Sequence, residues 1–137
     1  GDKISIESLQ NTLKKDKKKS IILPVSAPFH CSLMKNAAEQ MKDKIFSIKF
    51  NQPKKEIISN VTALPETDQE NIKKLLVEQI YSKVRWRETI LYMENNGINE
   101  FIEIGPGKVL SGLVKRITKN RVSLSINSIE DIKNISK

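Results

Sequence analysis

The chain contains one histidine and one cysteine, and they are neighbours, His30 and Cys31. They sit within Leu23-Pro24-Val25-Ser26-Ala27-Pro28-Phe29-His30-Cys31-Ser32-Leu33-Met34, where an apolar run ends at Pro24 and a helical pattern opens at Ser32. A strand-to-helix junction is where an α/β protein presents reactive groups, because the helix start offers unpaired N–H groups and a positive dipole end. An imidazole there can take or give a proton near neutral pH. A solitary histidine is more often a surface or satisfied core residue than a catalyst, so chemistry alone makes His30 a candidate base. Cys31 does not complete a nucleophile–base pair with it, since adjacent side chains diverge on a helix or a strand. Ser26 and Ser32 are nearby hydroxyls, yet no Gly-x-Ser-x-Gly elbow occurs anywhere in the chain. The result is a base without a nucleophile.

A second feature is Gly105-Pro106-Gly107 ahead of a helical pattern. Glycines at a helix start can expose N–H groups to an anion, but the spacing is neither a dinucleotide fingerprint nor a P-loop. A tight structural turn is the simpler reading. Lys108, Lys115 and Arg116 make the following helix basic, which an exposed face also explains.

The elements that must hold these residues alternate. Ile6, Leu9 and Leu13 predict a short amphipathic helix over 5–15 with Ser5 as its cap. Lys14-Lys15-Asp16-Lys17-Lys18-Lys19 then forms a solvated loop, and 20–25 reads as a β-branched strand with Pro24 at its edge or end. A helix over 32–46 turns Leu33, Met34, Ala37, Ala38, Met41 and Ile45 inward. Residues 57–61 read as a buried strand, and Thr67-Asp68-Gln69-Glu70 as a capping box with Thr67 as cap for a helix to Tyr81. A helix bearing Trp86, Ile90 and Met93 stops at Gly97. A strand over 101–104, a helix with Val109, Leu110, Leu113, Val114 and Ile117 inward, an alternating strand over 122–126 and a weak helix from Ile129 complete the chain. This alternation predicts an α/β fold with a largely parallel sheet.

The totals are those of a globular domain: 137 residues, 38% hydrophobic and 29% charged. No apolar run approaches the ~20 residues of a membrane span, and no secretory signal opens the chain. One cysteine excludes an internal disulfide and a multi-cysteine metal site. A reducing, cytoplasmic setting is expected. The net charge of +8 suits a lysine-rich solvated surface or an anionic partner, while only 5% aromatics argue against a base-stacking platform for single-stranded nucleic acid.

Four stretches in order resemble the malonyl-CoA:acyl-carrier-protein transacylase family. They are the His30 stretch above, Ile58-Ser59-Asn60-Val61-Thr62-Ala63, Gln79-Ile80-Tyr81 followed by Val84-Arg85-Trp86, and Phe101-Ile102-Glu103-Ile104-Gly105-Pro106-Gly107-Lys108-Val109-Leu110-Ser111-Gly112-Leu113. The resemblance implies that residues 26–137 form the C-terminal part of an α/β-hydrolase-like acyltransferase core. It implies that residues 1–25 are a remnant of a ferredoxin-like small subdomain. It further implies transfer of malonyl from coenzyme A to the phosphopantetheine thiol of acyl carrier protein through an acyl-serine, in fatty-acid synthesis. His30 would be the general base, the backbone carbonyl of Gln79 would orient it, and Phe29 would crowd an α-methyl group. No metal and no cofactor are implied, malonyl-CoA being the substrate.

The family's serine elbow, oxyanion glutamine and malonyl-pairing arginine belong to an N-terminal half that this chain does not contain. That missing half is therefore an expected partner, with malonyl-CoA and acyl carrier protein, and the chain alone is expected to be inactive. Neither a membrane nor nucleic acid is expected under this reading. The rival reading is a non-catalytic basic module that docks an acidic protein or RNA, with His30 a remnant.

Overall fold

The computed structural model describes residues 2–118 and 122–135. Of the two expected subdivisions, residue 1 of the first and residues 119–121 and 136–137 of the second lie outside the described residues.

Helix α1 spans Lys3–Lys15. Its cap is Asp2, not Ser5: Asp2 Oδ2 accepts the Ser5 N–H at 2.9 Å and the Ser5 hydroxyl at 2.9 Å. The carboxylate captures the free N–H groups first, so the helix begins earlier than the apolar spacing alone suggests. No residue of α1 is buried. Its apolar stripe faces an open groove of about 720 Å³, walled on the other side by residues 20–28.

Residues 20–25 were expected to form a strand and do not. Strand identity depends on a hydrogen-bonded neighbour, and among the described residues none lies beside this segment. Ile21, Leu23 and Val25 are exposed.

A 3₁₀ turn at Ser32–Met34 leads into α2, Lys35–Ser47. The predicted helix thus begins as a tighter turn. α2 packs on α3, which spans Gln69–Gln79. Ala38 on α2 is 0% exposed, while Leu33 and Met41 are exposed, so the buried stripe is narrower than the predicted face. Asp68 caps α3, its Oδ1 accepting from Asn71 N at 2.7 Å. The expected cap, Thr67, lies one residue outside. An ionised oxygen makes the stronger bond to a backbone N–H, which explains the shift.

Between α2 and α3 lies a small hairpin. Strand β1, Ile57–Ile58, pairs antiparallel with β2, Pro65–Glu66, with Ile57 opposite Glu66 and Ile58 opposite Pro65. The predicted buried strand over 57–61 is therefore shortened to two residues. Ser59 Oγ accepts the N–H groups of Val61 (3.1 Å) and Thr62 (3.4 Å), and Ala63 adopts φ 57°, so the chain turns where a strand would continue.

Helix α4, Trp86–Asn95, carries Ile90, which is 0% exposed. Arg85 ties it to the hairpin: its N–H donates to Asn60 O at 2.9 Å and its Nη1 to Thr62 O at 3.0 Å. Gly97 ends the helix at φ 84°, a left-handed conformation that favours glycine at this position.

Strands β3, Glu100–Ile104, and β4, Val122–Ile126, run parallel, in register from Glu100 opposite Val122 to Ile104 opposite Ile126. Helix α5, Val109–Ile117, makes the crossover, and α6, Ile129–Ile135, follows β4. The sheet is parallel as the alternation predicts, but among the described residues it has two strands, separate from the β1–β2 pair. A two-stranded sheet offers a narrow floor. Val114 and Ser111 of α5 are buried against it, whereas Val109, expected inward, is 70% exposed.

Candidate functional site

His30 lies between residues 20–28 and the 3₁₀ turn, with backbone φ 59°. A non-glycine residue held there costs on the order of 1–3 kcal/mol and persists only where the surroundings impose it. Flanking bonds shape the bend: Phe29 N donates to Ala27 O at 2.9 Å, and Cys31 Sγ donates to Pro28 O at 3.1 Å. The thiol is thus directed back along the chain.

His30 Nδ1 lies 2.9 Å from the carbonyl oxygen of Gln79. Gln79 is the last residue of α3, where the final carbonyls have no partner within the helix. A carbonyl can only accept, so Nδ1 carries the proton in this bond. The neutral ring then presents a bare Nε2, the atom able to accept a proton.

The structure therefore brings together His30 and Gln79, with Phe29 next to His30 in the chain and 55% exposed. Ser26 and Ser32 are exposed, and Cys31 is half-buried.

The Gly105-Pro106-Gly107 turn has a different role. Gly105 and Gly107 take φ 134° and 99°. Several of the N–H groups that could cradle an anion already have partners. Gly107 N donates to Asn127 Oδ1 at 2.6 Å, Leu110 N to Glu103 Oε1 at 3.1 Å, and Ser111 N to Glu103 Oε2 at 2.8 Å. A carboxylate from β3 thus occupies the start of α5. The hydroxyl of Ser111, then the N–H groups of Ser111 and Leu110 and the Ser125 hydroxyl, hold the Glu103 carboxyl below its usual range. Glu103 was missed as a cap because it precedes the helix by a whole turn and comes from another element.

Among the described residues no group of three or more His, Cys, Asp or Glu could hold a metal ion. No helix among them is long and apolar enough to cross a membrane.

No family model matches the chain. Curated relatives do. The Haemophilus influenzae malonyl CoA-acyl carrier protein transacylase is 43% identical over 112 residues, covering 82% of this chain and 36% of that protein. The Bacillus subtilis protein of the same name is 44% identical over 115 residues, covering 84% and 36%. Among solved structures, the acyl-carrier-protein-S-malonyltransferase of Bartonella henselae aligns with a TM-score of 0.89 at 40% identity, over 98% of this chain and 43% of that one. A malonyl-transacylase in complex with a type II PKS acyl carrier protein aligns at 0.87 and 35% identity, over 98% and 44%. The chain spans about a third of the length of these curated relatives. Its fold is that of part of an α/β acyltransferase, and the chain is a part-length homologue of the malonyl CoA-acyl carrier protein transacylases.

Proposed function

We propose that this chain supplies the general base and part of the acyl cleft of an enzyme that moves malonyl from coenzyme A to acyl carrier protein. The observation that carries the reading is the bond from His30 Nδ1 to the Gln79 carbonyl, which leaves Nε2 free. In this reading a serine from the N-terminal half of the enzyme gives its proton to Nε2 as its oxygen attacks the malonyl thioester. Collapse of the tetrahedral intermediate breaks the carbon–sulfur bond, and the imidazolium returns the proton to the departing coenzyme A thiolate. The phosphopantetheine thiol of acyl carrier protein then loses its proton to Nε2 and attacks the acyl-serine; collapse breaks the carbon–oxygen bond, and the imidazolium returns the proton to the departing serine oxygen. No metal or cofactor enters, and the setting is cytoplasmic.

Two further features support the reading. The apolar faces of α1 and of residues 21–25 are exposed, as surfaces covered by the remainder of a larger acyltransferase would be. The charge of +8 would attract both the phosphates of coenzyme A and an acidic carrier protein.

The test is reconstitution. An N-terminal segment from the Bacillus subtilis relative, joined to this chain, should transfer malonyl, and His30→Ala should reduce the rate by about 10²–10⁴-fold. An unchanged rate would instead favour a basic binding module in which His30 is a remnant.

A further inference from the structure

We propose that Lys35 and Tyr81 are positioning residues for His30. They form a cation–π clamp that keeps the His30 segment against the end of α3 and so holds Nδ1 on the Gln79 carbonyl. The activity arm of this proposal rests on His30 acting as base, while its structural arm does not.

Lys35 Nζ lies 5.8 Å from the centroid of the Tyr81 ring, inside the ~6 Å reach of a cation–π contact. Lys35 is the first residue of α2, directly after the 3₁₀ turn that follows His30. Tyr81 lies just beyond Gln79, and its N–H donates to Glu78 O at 3.2 Å, so its backbone continues the last turn of α3. The clamp therefore joins the same two segments that the imidazole joins.

The imidazole bond needs such help. It is exposed, so water competes for both of its partners. The left-handed backbone of His30 also favours release over retention. At the other end of the helix pair, Lys73 is buried and fixes the spacing. Its Nζ lies 2.9 Å from Glu70 Oε1, 3.4 Å from Phe46 O, and 5.5 Å from the centroid of the Phe50 ring. Ala38, fully buried on α2, admits close approach between the two. With the Lys73 end fixed, the freedom left to the His30 end is an opening of α2 away from the end of α3. Lys35 on Tyr81 opposes that opening.

The test reads the imidazole directly, by ¹⁵N spectra of neutral His30 in the 137-residue chain. The parent chain should show Nδ1 protonated. Tyr81→Leu and Lys35→Met should each raise the share of the Nε2–H tautomer about two- to fivefold, the range for an exposed cation–π contact. The double variant should do no more than either single one. Tyr81→Phe and Lys35→Arg, which keep the aromatic face and the cation, should restore the parent ratio. An unchanged ratio in Lys35→Met, with the amide of Ile90 unshifted to show that the fold persists, would overturn the clamp. So would equal loss in the conservative pair. Lys35 is exposed, so its variant carries the test even if Tyr81→Leu fails to fold. In the reconstituted enzyme kcat should fall in proportion to the Nδ1–H share that remains, at unchanged KM. A shift without that loss would support the clamp and count against His30 as base.

Discussion

Glu103 on β3 accepts the Ser111 hydroxyl at 2.6 Å and the Ser111 N–H at 2.8 Å, so one strand caps the helix that returns from it. The expected outcome of Glu103→Gln is a lower Tm at pH 7, because the amide replaces a charge-assisted acceptor. The pH dependence has a fixed sign. A carboxyl whose folded pKa lies below its ordinary 4.5 stabilises the fold above that value. This contribution is lost as pH falls below 4.5 through the lower folded pKa. Thermal melts of both proteins between pH 7 and pH 3 should therefore converge at the acid end; a constant gap would refute the assignment.

Asp68, and not Thr67, starts α3. Asp68→Ala should cost about 1 kcal/mol and Thr67→Ala should lie close to the parent, both measured by urea unfolding. Equal losses would restore the capping-box reading.

How far the sequence reveals the fold depends on what each element needs. Helices answer to local signals, and α1, α3 and α4 form where spacing and caps place them, give or take a residue or two at the ends. Strands need partners. β3 and β4 have each other, whereas 20–25 has none among the described residues and stays irregular. Within the site, His30 stands out as the sole imidazole. Gln79 meets the imidazole through a backbone carbonyl, which no side-chain pattern can announce, and it emerges only by resemblance. The Lys35–Tyr81 contact is likewise silent in sequence, because two ordinary surface residues acquire meaning only when α2 meets α3.

Ile90 has the most completely buried large side chain among the described residues. Ile90→Ala should destabilise the chain by about 2–5 kcal/mol, read as a lower urea midpoint at unchanged slope. A loss below ~1 kcal/mol would mean that the α4 core collapses around the gap or is not formed.

Phe29, half-exposed beside the proposed base, should set acyl selectivity in the reconstituted enzyme. Phe29→Ala should raise the kcat/KM for methylmalonyl-CoA relative to malonyl-CoA by about 10- to 200-fold, the usual worth of a single hydrophobic crowding contact. An unaltered ratio would remove Phe29 from the cleft.

The central claim is that His30 takes the proton that starts acyl transfer. Single-turnover acylation of the reconstituted enzyme by malonyl-CoA, followed by intact mass, tests it most directly. One malonyl adduct per molecule is expected, formed at least ~100-fold more slowly in His30→Ala. Acylation at the parent rate in that variant would contradict it.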